Sequence, residues 1–134
     1  SLGARLKTVE DIMLTGNKIP FVKENFKMKN ALKILSNKKL GVLIVTGKDK
    51  RTKGIITDGE IRRFNQKFLN LHSMKTKEIM TKNPVSINKD ALAVKALSLM
   101  NEKKITSLCV YDKKNKLKTI GILHIHTLLQ SSIN

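Results

Sequence analysis

Apolar and polar positions along this chain fall into a series of blocks that occurs twice. Asp11-Ile12-Met13 is followed by Ile19-Pro20-Phe21-Val22, an amphipathic stretch around Ala31-Leu32, the apolar run Val42-Leu43-Ile44-Val45, and Gly54-Ile55-Ile56-Thr57. Glu78-Ile79-Met80 opens the same series again, through Pro84-Val85-Ser86-Ile87, Ala96-Leu97, Ser107-Leu108-Cys109-Val110 and Gly121-Ile122-Leu123-His124. Met13 and Met80 stand 67 residues apart, Leu32 and Leu97 65, and Gly54 and Gly121 67. A period that long, occurring twice, predicts a duplicated small α/β unit, because solenoids use shorter repeats stacked at least about three deep. Two such units usually pair and create pseudo-twofold clefts, and function is expected there.

Local signals place the elements. Thr8-Val9-Glu10-Asp11 has the form of a capping box and predicts a short helix with Thr8 as N-cap, ending near Met13. Thr76-Lys77-Glu78-Ile79-Met80 predicts a second such helix, capped at Thr76. Each is followed by a turn containing Asn and a short strand bearing Pro20 or Pro84, whose missing donor suits a sheet edge or a strand start. Asn25 is expected to cap a helix with Met28, Ala31, Leu32 and Leu35 on one face, and Asn88 one with Ala93, Ala96, Leu97 and Met100. Two strands close each half, 42–46 with 53–57 and 107–111 with 119–123, joined by the turns 47–50 and 112–115. Final helices are predicted over 58–68 and 125–131. The domains are then 8–68 and 76–134, with a linker at 69–75 and residues 1–7 a linker or remnant ahead of them.

Composition narrows the class. With 134 residues, 40% of them hydrophobic, the chain can bury roughly two-thirds of its unfolded surface. No apolar run reaches the roughly 18 residues of a membrane span, no signal-peptide core precedes the first helix, and a cytoplasmic location is expected. Cys109, the single cysteine, lies in a strand pattern and reads as a small buried hydrophobe. The formal charge of +17 would draw polyanions. Yet it is spread out: residues 1–67 carry 16 Lys and Arg against 6 acids, residues 68–134 carry 11 against 4, and only four of the cations are Arg. With 4% aromatic residues and no Trp, stacking platforms are scarce. No specific nucleic-acid partner and no membrane partner are expected.

The order helix-strand-helix-strand-strand-helix, twice in about 130 residues, with its Asp-Ile-Met and Gly-Ile-Ile-Thr motifs, resembles a tandem pair of cystathionine-β-synthase (CBS) domains, a Bateman module. The resemblance implies an α/β (α+β) fold of two pseudo-twofold-related small sheets, each flanked by helices. It also implies an adenosine-type ligand and regulation of an attached enzyme or transporter. More narrowly, Val9-Glu10-Asp11-Ile12-Met13, Thr57-Asp58-Gly59-Glu60-Ile61-Arg62-Arg63, Ile105-Thr106-Ser107 and His124-Ile125-His126 are similar to the C-terminal module of bacterial arabinose-5-phosphate isomerases. In those enzymes an N-terminal sugar-isomerase (SIS) domain makes a precursor of the lipopolysaccharide sugar Kdo.

Within that family a Ser or Thr closing the last strand approaches phosphate, and an Asp three residues later holds ribose hydroxyls. Here Thr57 keeps the hydroxyl and Glu60 lengthens the acid by one methylene. Thr57 and Glu60 also form a capping box, so ligand contact and capping can share them. Asp58 lies between them at a helix N-terminus, where anions are favoured. Arg62 and Arg63 follow one turn in, either as forks for phosphate or carboxylate or as a solvated helix face. The second copy has His124 in place of the hydroxyl and Thr127 in place of the acid. His124 and His126 offer a polar or anionic contact, a cap or packing; as a metal pair they have no third ligand in reach of the pattern. The resemblance adds Ser107 to this set.

No Ser/His/Asp or Cys/His set and no phosphate loop is present, so catalysis by these residues is not expected. The expected function is a regulatory ligand-binding CBS pair of a sugar-phosphate isomerase, with AMP, ATP or CMP-Kdo bound in the inter-domain cleft and no required cofactor or metal. The alternatives are a structural dimerisation module with empty clefts, or a basic nucleic-acid-binding domain. Homodimerisation is expected through Ile61, Phe64, Phe68, Leu128 and Leu129.

Overall fold

The structure, a computed structural model, describes residues 6–38, 40–67 and 70–131. Phe68 and Leu69, which belong to the predicted helix end and linker, lie outside the described residues, as do 1–5 and 132–134. Among the described residues six helices, α1 Val9–Ile12, α2 Met28–Lys38, α3 Asp58–Asn65, α4 Thr76–Ile79, α5 Ala93–Lys103 and α6 Ile125–Gln130, are interspersed with seven strands. The strands are β1 Phe21–Lys23, β2 Val42–Thr46, β3 Thr52–Thr57, β4 Thr81–Lys82, β5 Ser86–Asn88, β6 Ser107–Tyr111 and β7 Gly121–His124. They form two mixed sheets, ordered β1-β2-β3-β4 and β5-β6-β7. The mixed α/β class and the two small helix-flanked sheets are those expected from the repeat.

Each sheet follows from its sequence signals. Pro20 and Pro84 stand just ahead of β1 and β5, which are edge strands running parallel to β2 and β6. The second strand of each pair turns back antiparallel, matching Val42 to Thr57 in one sheet and Ser107 to His124 in the other. In one unit Met28, Ala31 and Leu35 of α2 pack on Leu43, Val45 and Ile56; in the other Ala93, Ala96 and Met100 of α5 pack on Leu108, Val110 and Leu123. Cys109 is buried among the strands, and burial pushes its thiol up to about 11, where it stays protonated and unreactive.

The compact units draw on both repeats. One comprises Ser1–Gly16 with Val85–Asn134, the other Asn17–Pro84. The segment after α1 therefore joins the sheet of the later repeat: Leu14 N–H donates to Ile122 O (2.8 Å), and Ile122 N–H returns the bond to Leu14 O (3.0 Å). The segment after α4 does the same in the other unit, as β4 beside β3. A left-handed residue stands near each crossing, Gly16 at φ 59° and Asn83 at φ 52°, residue types that tolerate that conformation.

This exchange explains the two recurring motifs. Met13 lies over Gly121, where an added Cβ would run into Met13 Sδ; Met80 lies over Gly54, where it would meet Met80 Sδ at 2.6 Å and Thr81 O at 2.8 Å. The glycine of each Gly-Ile motif is the floor on which the methionine of the other repeat rests. Met13 and Met80 thus serve as apolar filler over those glycines.

Four local expectations are corrected. Thr76 does not cap α4: it is fully buried, and its hydroxyl donates to Lys23 O (2.5 Å) and Glu24 O (3.0 Å), while Lys75 takes the N-cap position and its N–H donates to Glu78 Oε1 (3.0 Å). Asn88 does not cap α5, whose N-cap is Leu92; its Oδ1 accepts from Asp90 N–H (3.0 Å) to shape the preceding turn. Asn25 likewise sits in a turn, three residues before α2 begins. Leu128, expected on an exposed dimer face, fills the core at 0% exposure, because the short α6 turns it inward.

The two glycines make distinguishable tests. Gly54→Ala and Gly121→Ala should each cost about 1–3 kcal/mol in urea unfolding. Truncating Met13 to Ala should relieve the Gly121→Ala penalty by more than about 0.5 kcal/mol in a double-mutant cycle. Truncating Met80 should not rescue Gly54→Ala, since the Thr81 carbonyl remains in the way. Fragments 1–68 and 76–134, each without its exchanged segment, should show the circular dichroism of folded protein only when mixed.

Candidate functional site

The predicted site residues occupy two strand-to-helix junctions, one in each unit. In the first, Thr57 ends β3 and caps α3. Its N–H and its hydroxyl both donate to Glu60 Oε1 (2.6 Å each), and Gly59 N–H donates to Thr57 Oγ1 (3.2 Å). The other carboxylate oxygen, Glu60 Oε2, accepts from the Arg63 guanidinium and from the Thr81 hydroxyl (3.1 Å). Only 10% of the Glu60 side chain is exposed, against 65% for Arg63. Burial without a partner would be costly for a carboxylate; four donors, one of them a cation, hold this one.

Arg62 is exposed. Asp58 is exposed too, and its Oδ2 lies 3.3 Å from where a Cβ on Gly41 would project. Gly41 is at φ 73°, so both backbone conformation and space favour glycine there. Asp58, Gly41, Leu32, Leu35 and Ser36 line an open cavity of about 340 Å³. The junction therefore gathers Thr57, Glu60 and Arg63 into one bonded set, with Asp58 and Arg62 beside it and unengaged by it.

The second junction has the same backbone and different chemistry. Ser107, buried at the start of β6, is paired with His124 at the end of β7. His124 caps α6, its Nδ1 accepting from His126 N–H at 3.2 Å. The two imidazoles stack with centroids 4.9 Å apart and planes at 29°. Ile125 N–H donates to Thr106 O (2.8 Å), so the first donor of α6 is already used. An accepting Nδ1 requires neutral imidazole with its proton on Nε2. Burial, and next the neighbouring His126, hold His124 below the usual imidazole value. Among the described residues no three His, Cys, Asp or Glu side chains gather as a metal would need, and no helix is long and apolar enough to cross a membrane.

Thr81 is the participant that sequence reading missed. Strand β4 is two residues long, too short for any alternation to register, and its partner strand lies in the other repeat.

The two repeats match the CBS domain over residues 9–67 and 77–134. The chain belongs to the CBS-domain family. It is 38% identical over its whole length to the uncharacterised protein RP505 of Rickettsia prowazekii, and 34% identical over 99% of its length to the arabinose 5-phosphate isomerase KdsD of Escherichia coli. The chain spans about 40% of the length of each of those proteins. The crystal structure of Arabidopsis thaliana CBSX2 in complex with AMP superposes with a TM-score of 0.81 at 24% identity, covering 94% of this chain and 96% of that one. At that identity the likeness shows the fold of a CBS pair.

The histidine cap sets a pH dependence in this CBS pair. The folded state disfavours protonated His124. Its contribution is therefore fully present above about pH 6.5 and is lost as pH falls through its lowered folded value. Urea unfolding of the wild type should lose stability across that window. His124→Asn, which keeps an acceptor that does not titrate, should lose less; equal losses would remove His124 from the pH response.

Proposed function

We propose that this CBS pair is the regulatory, ligand-binding portion of an arabinose-5-phosphate isomerase. The observation that carries this reading is the 34% identity to KdsD over 99% of the chain. The isomerase chemistry then belongs to the part of such a protein that this chain does not span. The ligand is a phosphorylated nucleotide or nucleotide-sugar, supported by the AMP complex of CBSX2. The candidate contacts are Thr57, Asp58, Glu60, Arg62 and Arg63 at the junction of one unit and, separately, Ser107, His124 and His126 at the junction of the other. Exposed Arg62 is suited to phosphate, or to a carboxylate such as that of CMP-Kdo, through its planar fork. Regulation follows by linkage: a ligand that favours one arrangement biases the attached enzyme, typically by about 1–3 kcal/mol. A cytoplasmic homodimer belongs to the same reading.

One observation favours a second reading, a structural dimerisation module. Both oxygens of Glu60 are already engaged by the cap, Arg63 and Thr81, so the first junction is complete without a ligand. Calorimetric titration with AMP, ATP and CMP-Kdo separates the two. The regulatory reading expects one of them to bind below millimolar, to stabilise the protein by about 2.7 kcal/mol at 100 times its Kd, and to lose at least about tenfold in affinity in an Arg62→Ala/His124→Ala variant. Binding by none of them, or equal binding by the variant, favours the structural module.

A further inference from the structure

Glu60 is held from two directions. Thr57 binds it from the helix cap, within its own repeat. Thr81 binds it from β4, the two-residue strand of the other repeat that lies against β3 at Gly54 and Ile55. Just after β4 the chain turns through Asn83 and leaves this unit at Pro84. The corresponding positions of the other unit are Thr127 and Leu14, 67 residues away from Glu60 and Thr81 in each case; a leucine there supplies no donor. The link from helix cap to exchanged strand is thus built into one junction only.

We propose that Thr81 is a positioning residue for Glu60, tethering the N-terminus of α3 to β4, and that a ligand hydroxyl taking the Glu60 carboxylate displaces Thr81 and loosens β4. The displacement, unlike the tether, rests on the ligand-binding reading above. The physical reason is the number of acceptor sites. A carboxylate offers about four lone-pair directions, and Glu60 Oε1 and Oε2 already receive two donors each. A further donor enters by replacing one of these. The Thr81 hydroxyl is the most readily replaced: it is neutral, exposed and at 3.1 Å, whereas the Thr57 pair is short and local and Arg63 carries a charge. What a ligand gains at Glu60 is thereby taken from the side-chain bond that joins the cap to β4.

Hydrogen exchange tests the tether without any ligand. Thr81→Val keeps the shape and removes the donor; it should speed exchange of the β4 amide that bonds β3 severalfold and leave the interior amides of α3 unchanged. Thr81→Ser should restore protection. Unchanged exchange in Thr81→Val overturns the tether. AMP is the probe for the competition. Thr81→Val should bind AMP more tightly than the wild type, by up to about tenfold, the scale of one hydrogen bond to a charged group, and AMP should speed β4 exchange in the wild type. Equal affinities overturn the competition while the ligand-binding reading stands. Binding of AMP to neither protein counts against that reading and overturns the competition with it, and the exchange comparison still decides the tether.

Discussion

Contact between a methionine of one repeat and a glycine of the other is the constraint on which much of this structure depends. A Cβ at Gly121 or Gly54 would lie within 2.6 Å of the methionine sulfur, closer than packed atoms approach. The glycine lets the exchanged segment sit directly on the last strand, and the backbone bonds of Leu14 with Ile122, and of β4 with β3, then close. Short helices such as α1 and α4 have little stability of their own. Tertiary contacts fix them in place: a methionine at the C-terminal end, a strand partner just beyond it and, for α4, the buried hydroxyl of Thr76 on the Lys23 and Glu24 carbonyls.

The two junctions solve one problem with different side chains. A helix beginning at a strand end leaves backbone donors that need acceptors. Thr57 and Glu60 supply oxygens, and the acid brings in Arg63 and Thr81. His124 supplies a ring nitrogen, which works only while neutral. One junction is thus held by a charge and the other by the absence of one. The same duplicated backbone carries two chemistries: a carboxylate shared among four donors, and an imidazole nitrogen that accepts one.

Much of this was legible in the residues. The apolar faces of α2 and α5, the prolines ahead of the edge strands and the Thr57–Glu60 box are local patterns, and local patterns survive folding; the 67-residue period shows because it recurs. The junction residues were legible by position: Thr57, Glu60 and Arg63 come together because they lie within two turns of one helix start, and His124 meets Ser107 because strand register pairs them. Partners distant in sequence were not legible. Thr81 on Glu60 and Thr76 on Lys23 join segments separated by 21 and 53 residues, and no periodicity encodes such a pair. Asn25 and Asn88 misled for another reason: their side chains serve turns and helix caps equally well.

The crossings near Gly16 and Pro84 bear on how such a molecule can arise. A lone copy of this repeat would carry a Gly-Ile strand with no methionine to cover it and a leading helix with no strand to join. In this chain each is met from the other repeat. Two copies lending each other their first segments would satisfy both, as an intertwined pair of identical chains. Fusing those chains end to end makes the loan permanent, and only then are the two junctions free to diverge, one toward an acid and the other toward a histidine.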